Sequence, residues 1–361
     1  MTRVLVIEGS GNLWGSERAL IDLVRDPSSC EFAVCCPPDT PLVRELEALG
    51  VRVLPYFIAG LHKMGRWRRA QAAVGVLRAC LEFRPDVVHL NHGGAYMTAL
   101  PATVLLGLPI TAHIRLFEEV AYLAARRPKA ARLRGLVAIS HAVEAEIGRH
   151  PQLSGIDVSL IYDGYSQNPP TGRAPRRRAR RIVCAGRVEP MKRQDLLLEA
   201  VGLLRDEGVE VECLIAGDGD PEFVDRLKRR SAGKDAMAVD WLGFVSDMPN
   251  LLRSTDVLAF PSERETLGRV ILEAWAAGAV PVVYAGSGGA AEIVLGATGG
   301  LVYDVQTPAA LAAALKLALE LPPPARKRML ENGQAWLGAN CSQTASLEAF
   351  SRLAAQACRR A

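Results

Sequence analysis

The stretch that most constrains the chain is Asp256 to Val294, DVLAFPSERETLGRVILEAWAAGAVPVVYAGSGGAAEIV. An apolar run, Val257 to Phe260, has the length and composition of a buried strand, and Pro261 and Ser262 stop it. A helical pattern runs from about Thr266 to Ala277 and ends at Gly278. A second apolar run, Val280 to Tyr284, opens onto the glycine-rich loop Gly286-Ser287-Gly288-Gly289. Strand, helix and strand in that order make one unit of a parallel α/β sheet.

Two carboxylates, Glu265 and Glu273, bracket this helix, the first at its start and the second inside it. A helical span of that length rises about 12 Å, the reach of a sugar joined through a diphosphate to a ribose. The helix N-terminus offers N–H groups and a positive dipole end that suit phosphate. The plain alternative is an i, i+4 pair of Arg269 with Glu273 facing water, and for an isolated pair of carboxylates that reading is the better one. Here Leu267, Val270, Ile271, Leu272, Ala274 and Trp275 make the helix apolar almost all round. A buried helix keeps a polar edge for a cleft more often than for bulk solvent.

The length of 361 residues suits two domains with substantial cores. Hydrophobic residues at 49% and charged residues at 23% describe a globular protein with no membrane span. The start, MTRVLVIEGSG, enters a strand directly and carries no secretory cleavage site. Eight cysteines without a Cys-x2-Cys pair read as core thiols of a reducing cytoplasm, not as a zinc site or disulfide frame.

Apolar runs at Arg3 to Glu8, Phe32 to Cys36, Val51 to Tyr56, Val87 to Asn91, Ile110 to Ile114, Leu136 to Ser140 and Val158 to Tyr162 alternate with helical patterns. They predict a doubly wound sheet that binds ligands at the carboxyl ends of its strands. The first strand leads into Gly9-Ser10-Gly11-Asn12-Leu13-Trp14-Gly15, with Ser16 as the expected helix N-cap and Glu17 in the first turn. Its glycines do not follow Gly-x-Gly-x-x-Gly, so the loop is either a tight turn or the lining of a cleft. Other strand ends carry His89 with Asn91 and His92, His113 with Arg115, and Ser140 with His141. A structural role is the ordinary reading of such histidines. Two basic segments, Leu61 to Arg69 with Trp67 and Arg126 to Arg134, are solvated faces or the meeting place of an anionic acceptor or lipid surface.

Gln167 to Arg181, QNPPTGRAPRRRARR, lacks apolar periodicity and reads as an interdomain linker. After it, the strand Ile182 to Ala185 opens onto Gly186-Arg187-Val188-Glu189-Pro190-Met191-Lys192. Its two cations suit a leaving group that gains negative charge. Asp218-Gly219-Asp220 is formally Asp-x-Asp, but its place between a buried strand and Pro221 points to a turn and helix cap.

The segment PSERETLGRVILEAWAAGAVPVVYAGSGGAAEIV resembles the nucleotide-sugar site of the retaining GT-B glycosyltransferases of family 4, the glycosyl transferases group 1. Members carry Glu-x7-Glu, then a Pro-Val-Val strand and a Gly-Gly loop. The resemblance covers nearly the whole chain and is strongest from Ile182 to Val294. It implies that Glu265 binds hydroxyls of the donor sugar and Glu273 the ribose, with Thr266-Leu267-Gly268 standing where the family usually has Gly-Phe-Gly. Gly186-Arg187-x4-Lys192 is similar to the family's Gly-Arg-x4-Lys, which grips the donor diphosphate, and Arg193 replaces the glycine that follows. Trp241 to Val245 resembles the stretch whose backbone edge reads the donor base, which implicates Phe244 and Val245. Thr111-Ala112-His113 matches a Thr-x-His whose histidine borders the donor sugar. Gly15-Ser16-Glu17 resembles Gly-Gly-x-Glu, implying that Asn12, Gly15 and Ser16 line the acceptor cleft.

The implied fold is α/β, GT-B: two doubly wound Rossmann-like domains facing a cleft. Residues 1–165 would form the acceptor-side domain, 166–181 a basic linker and 182–340 the nucleotide-sugar domain, while 341–361 would form a helix packing back on the first. The implied reaction is metal-free, cofactor-free transfer of a hexosyl unit from a nucleotide diphosphate sugar to an acceptor hydroxyl, with retention, in glycan, glycolipid or glycoconjugate biosynthesis. The leaving phosphate takes the acceptor's proton in a front-side attack. The expected partners are that donor and an anionic or lipid-linked acceptor, with a cytoplasmic location, peripheral contact with the inner membrane face and no nucleic acid. Two other readings stay open: a nucleotide-sugar epimerase of the same fold, and a non-catalytic anion- or nucleic-acid-binding module. Glu265, Glu273, Arg187 and Lys192 occurring together weigh against the module.

Overall fold

The computed structural model of the chain describes residues 1–56, 66–126, 132–166, 180–231 and 239–359. Most of the expected linker and parts of both basic segments (57–65 and 127–131) therefore lie outside the described residues. The chain forms two compact units, Met1–Ser166 with Cys341–Ala361, and Gln167–Asn340.

The first unit begins β1 (Thr2–Ile7), α1 (Gly15–Val24), β2 (Cys30–Cys36), α2 (Pro41–Ala48), β3 (Arg52–Pro55), α3 (Arg66–Phe83), β4 (Val87–Leu90) and α4 (Tyr96–Leu106). It continues β5 (Ile110–Ile114), α5 (Phe117–Arg126), β6 (Leu133–Ala138), α6 (His141–Gly148) and β7 (Asp157–Leu160). All strand pairs are parallel, in the order β3-β2-β1-β4-β5-β6-β7. Helices cover both faces of such a sheet, so its central strands are apolar without alternation, and Val4 to Ile7 are fully buried.

The second unit runs β8 (Arg180–Ala185), α7 (Gln194–Asp206), β9 (Val211–Ala216), α8 (Pro221–Ser231), β10 (Val239–Gly243), α9 (Met248–Arg253) and β11 (Val257–Phe260). It continues α10 (Arg269–Ala277), β12 (Val280–Tyr284), α11 (Gly289–Ala297), β13 (Leu301–Tyr303), α12 (Pro308–Leu319) and α13 (Pro323–Asn340). Its parallel sheet has the order β10-β9-β8-β11-β12-β13. One core, including Leu197, Val201, Val257, Val280 and Leu315, fills the space between the sheet, α7 and α12.

The last helix, α14 (Gln343–Arg359), belongs to the first unit, where Phe350, Leu353 and Ala354 are buried against its sheet. Ser346 donates to the Tyr162 carbonyl at 3.0 Å, and Gln343 to the Asp22 carbonyl at 3.0 Å.

Two local expectations are corrected. The helix expected from Thr266 begins at Arg269, because Gly268 takes φ +83° and ψ 58°, a left-handed turn that no helix continues through. Glu265 therefore sits on the preceding loop, and a purely helical rise does not measure its distance from Glu273. At the first helix the capping residue is Trp14, not Ser16: its backbone N–H donates to Glu17 Oε2 at 3.2 Å, and Ser16 already lies in the first turn.

Candidate functional site

Each sheet has one place where the strand order reverses, between β1 and β4 in the first unit and between β8 and β11 in the second. Connections leave such a point in opposite directions and open a crevice outside the carboxyl ends. In the second unit the two flanking loops are Gly186 to Arg193 and Pro261 to Gly268. They carry Arg187, Lys192 and Glu265.

Lys192 Nζ forms an ion pair and hydrogen bond with Glu265 Oε2, their side chains 21% and 16% exposed. Glu265 is held from behind by the glycine-rich loop. Its N–H donates to the Ser287 carbonyl at 2.7 Å, and its carbonyl accepts from Gly289 N–H at 2.9 Å. Ser287 Oγ accepts the Ala291 N–H at 3.1 Å, tying that loop to α11. Gly268 closes the turn: a Cβ there would lie 3.1 Å from Ile271 Cδ1 and 3.3 Å from Ala290 Cβ. Thr266 and Leu267, between the two, are buried.

Arg187 is half exposed, with its guanidinium 3.6 Å from Glu189. Its loop is fixed by Gln194, which is 1% exposed and donates to the Arg187 carbonyl at 2.9 Å. Gln194 was not anticipated from sequence. It looks like an ordinary first-turn residue, and only the packing turns it toward the loop. Gly186, at φ +139°, lets the chain leave β8. Arg193 caps α7 in the left-handed region, φ +52°, the kind of position that favours glycine. Its side chain is tied to Asp195 and Gln306 at 3.3 Å each.

Glu273 lies one turn into α10, its carboxylate 3.8 Å from Arg269 Nε. The two side chains are only 12% and 10% exposed, so they are not the solvated surface pair of the plain reading. Phe244 and Val245 directly follow β10, at the same carboxyl edge of the sheet. Phe244 is 49% exposed. Asp220 Oδ1 accepts Phe223 N–H at 3.0 Å and the Asp218 carbonyl accepts Val188 N–H at 2.9 Å, so Asp218-Gly219-Asp220 is a turn and helix cap.

At the reversal point of the first unit lies a buried polar network. Glu8 accepts from Ser10 N–H at 2.7 Å and from the Asn91 amide. Arg115 Nε donates to Asn91 Oδ1 at 3.0 Å, and Arg115 reaches Asp163 at 2.8 and 3.1 Å. His92 Nδ1 meets Glu119 at 3.1 Å. Burial pushes the Glu8 carboxyl up, with neighbouring Glu17 adding to it. The Glu119 bond and charge raise His92 against the cost of its burial. Glu8, Glu17 and His92 hold ligand-type atoms within 4.8 Å of one another. Both Glu8 oxygens and one Glu17 oxygen are already engaged by the β1–α1 loop and Asn91, so the group braces that loop. On the loop, Asn12 and Gly15 are exposed and Ser16 is half-buried, its hydroxyl donating to Glu17 Oε2 at 2.9 Å.

His113 lies in the interior beneath α14. It is 4% exposed, its Nδ1 is 2.7 Å from His89 Nε2, and its ring stacks on Phe350 at 6.1 Å. It lines a small cavity with Arg115, Asp163 and Gln343. His89, wholly buried, completes a chain to Thr111 Oγ1 at 2.9 Å. Burial, then the Arg115 charge, lowers His89 to about 3 and holds His113 well below the usual imidazole range.

Residues 173–336 match the family description Glycosyl transferases group 1, and residues 25–164 match Glycosyl transferase 4-like domain. The GDP-mannose-dependent alpha-(1-6)-phosphatidylinositol dimannoside mannosyltransferase of Mycobacterium tuberculosis is 31% identical over 175 residues, 47% of this chain and 44% of that protein. The D-inositol 3-phosphate glycosyltransferase of Streptomyces scabiei is 29% identical over 200 residues, 50% of this chain and 45% of that protein. The chain thus spans under half the length of these curated relatives. Among solved structures, Anabaena HepE in complex with UDP-glucose aligns with a TM-score of 0.83 at 19% identity, over 98% of this chain and 100% of that one. Sucrose-phosphate synthase from Thermosynechococcus elongatus aligns with a TM-score of 0.78 at 17% identity, over 100% of both. Both sheets and these neighbours agree on the GT-B fold, in which the second unit matches glycosyl transferases group 1 and the first matches the glycosyl transferase 4-like domain.

Proposed function

We propose that this protein moves a sugar from a nucleoside diphosphate sugar to an acceptor hydroxyl, with retention and without a metal ion. The observation that carries the proposal is the meeting of Lys192 with Glu265 at the reversal point of the second sheet. A cation and a carboxylate side by side suit the two halves of such a donor. Lys192 and Arg187 take the diphosphate, whose charge grows as the glycosidic bond breaks. Glu265 accepts from hydroxyls of the sugar, Glu273 accepts from the ribose, and the edge at Phe244 and Val245 receives the base. Thr266, Leu267, Gly268 and Gly186 shape the walls. The acceptor oxygen attacks the anomeric carbon from the side the diphosphate leaves, and its proton passes to the departing phosphate oxygen.

Asn12, Gly15 and Ser16 are assigned to the acceptor side. His113 is neutral, so its part is a hydrogen bond rather than proton transfer. The relatives named above are called after phosphatidylinositol dimannoside and D-inositol 3-phosphate, which supports an anionic or lipid-linked acceptor.

A thermal-shift screen against UDP, GDP, ADP and TDP tests the donor half. A nucleotide at 100 times its dissociation constant adds about 2.7 kcal/mol of stability. The sugar nucleotide of the base that scores is then incubated with and without acceptors. Transfer only with acceptor supports the proposal, and a new sugar nucleotide formed without acceptor assigns an epimerase instead. If no diphosphate raises the melting temperature, the donor site is wrong.

A further inference from the structure

The loops that carry the proposed donor site follow β8 and β11, and a third loop grips them both. It is the turn between β13 and α12, and the grip is the side-chain amide of Gln306, half-buried at the carboxyl edge of the sheet. Gln306 Nε2 donates to the Pro261 carbonyl at 3.0 Å, where the β11 loop begins. Its Oε1 accepts from Arg193 Nη1 at 3.3 Å, where the β8 loop ends. One planar amide thus ties together residues 45 and 113 positions away from it. Between those two points the loops also meet directly. Glu263 N–H donates to the Met191 carbonyl at 2.8 Å, and Lys192 pairs with Glu265.

Arg193 is an unexpected residue for its place. Its φ of +52° and ψ of 39° are left-handed, where a Cβ crowds the neighbouring carbonyl and glycine is the low-cost choice. The pattern that Gly186 to Lys192 resembles has glycine at this position. A large side chain kept on a strained backbone points to a use for that side chain. Its guanidinium reaches Asp195 at 3.3 Å as well as Gln306, and its charge bears on the buried Tyr303 at the end of β13. These contacts lead it along the carboxyl edge toward the outermost strand, β13. Lys192 is the next residue back along the chain, so any shift of Arg193 carries the ammonium group with it.

We propose that Arg193 and Gln306 form a clamp that sets the spacing of the two donor loops, which makes both of them positioning residues for the transfer. They act through Lys192 and Glu265. The clamp keeps the ammonium group beside the carboxylate as the diphosphate departs, and a misplacement of about 1 Å in such a group can cost about 10²-fold in rate. The clamp rests on the donor reading above and adds to it a third loop that the cation and carboxylate motifs do not include.

The test is a mutant cycle of Arg193→Gly, Gln306→Met and the double variant, with Lys192→Ala alongside. The readouts are kcat and donor KM, affinity for whichever of UDP, GDP, ADP and TDP stabilises the wild type most, and melting temperature. Each single variant should lose about tenfold in kcat, with donor KM and nucleotide affinity within about threefold of wild type. The double variant should lose no more than the larger single loss, because one clamp can be broken only once. Arg193→Gly relieves the left-handed strain, so its melting temperature should hold or rise while its turnover falls. A merely structural arginine would move both downward together. Single variants with wild-type kcat, losses that multiply in the double variant, or a kcat loss matched by a lower melting temperature would each overturn the clamp. Impaired Lys192→Ala beside any of these results leaves the donor reading standing, whereas Lys192→Ala at full rate overturns that reading and the clamp with it.

Discussion

Lys192 and Glu265, 73 residues apart in sequence, pair their charges because the strands that precede them, β8 and β11, are neighbours in the sheet. The ammonium group has three donors and spends one on this carboxylate. A second can face a phosphate while the first still orients Glu265, so one side chain links the part of the site assigned to the sugar with the part assigned to the diphosphate. Such preset geometry lowers a barrier by removing the need to organise the site during the reaction.

Lys192→Ala and Arg187→Ala should therefore each lower turnover by about 10²–10³, the scale for losing one donor to a developing oxyanion. Donor affinity should fall less, because the charge that Lys192 meets is largest after the bond has begun to break. Calorimetric binding and initial rates on the same variants separate the two. Near-full turnover in both variants would remove these cations from the reaction.

Metal dependence follows from the same charges. With Arg187 and Lys192 on one loop and the N-terminus of α10 near Glu265, the proposed diphosphate site already holds positive charge. Activity should survive EDTA. Loss on chelation that manganese or magnesium restores would overturn the metal-free reading and call for carboxylate ligands at the donor site.

The acid response isolates His89. Its folded value of about 3 lies below the ordinary value of about 6.5, so it stays neutral in the folded chain. Below about pH 6.5 the unfolded chain takes up a proton that folded His89 refuses. The stability this group contributes is present above about pH 6.5 and lost as pH falls toward 3, by about 1.4 kcal/mol per unit. His113, also depressed, acts with the same sign, whereas Glu8 and His92 are raised and act with the opposite one. The measurement is accordingly a difference. His89→Gln keeps a partner for His113 and should be less stable than wild type at neutral pH, with the gap shrinking as pH drops from about 6.5. A gap that does not change with pH would mean that His89 is not held neutral.

Much of the architecture was legible for a physical reason. Strands buried on both faces leave unbroken apolar runs, and Ile110–Ile114, Val257–Phe260 and Val280–Tyr284 begin and end where those runs do. β13, three residues long, is too short to show a period, and in the strongly polar α8 only Phe223, Val224 and Leu227 make up the apolar side that packs inward, too short a stripe to fix its bounds. The start of α10 was misplaced because periodicity records which residues are apolar, not that Gly268 turns left-handed. In the site, the cation and carboxylate spacings lie within single segments and could be read directly. The hold of the Gly286 to Gly289 loop on Glu265 could not, since it arises from two strands lying side by side, and neither could Asn91 reaching Glu8 across 83 residues.

Gly268 should be intolerant of any side chain. Its φ of +83° costs an L-residue about 1–2 kcal/mol, and the new Cβ would press on Ile271 and Ala290. Gly268→Ala should lower the melting temperature and also weaken nucleotide binding, because the turn it closes carries Glu265. Lower stability with unchanged binding would show that the turn and the ligand site are separate.

Glu273 separates a binding role from a structural one. As the ribose ligand it accepts hydrogen bonds on a charged oxygen, each worth about 1.5–3 kcal/mol. Glu273→Gln keeps the shape and removes the charge, so affinity for the preferred nucleoside diphosphate should weaken about ten- to a hundredfold. If the carboxylate served only Arg269, 3.8 Å away, the same change would cost stability alone, by up to about 3–5 kcal/mol, the scale for removing one partner of an ion pair held mostly out of water. Nucleotide affinity would then be untouched. Titration calorimetry and a melting curve on one preparation give both quantities. A lower melting temperature with wild-type affinity would assign Glu273 to the packing of α10, and the ribose would need another partner.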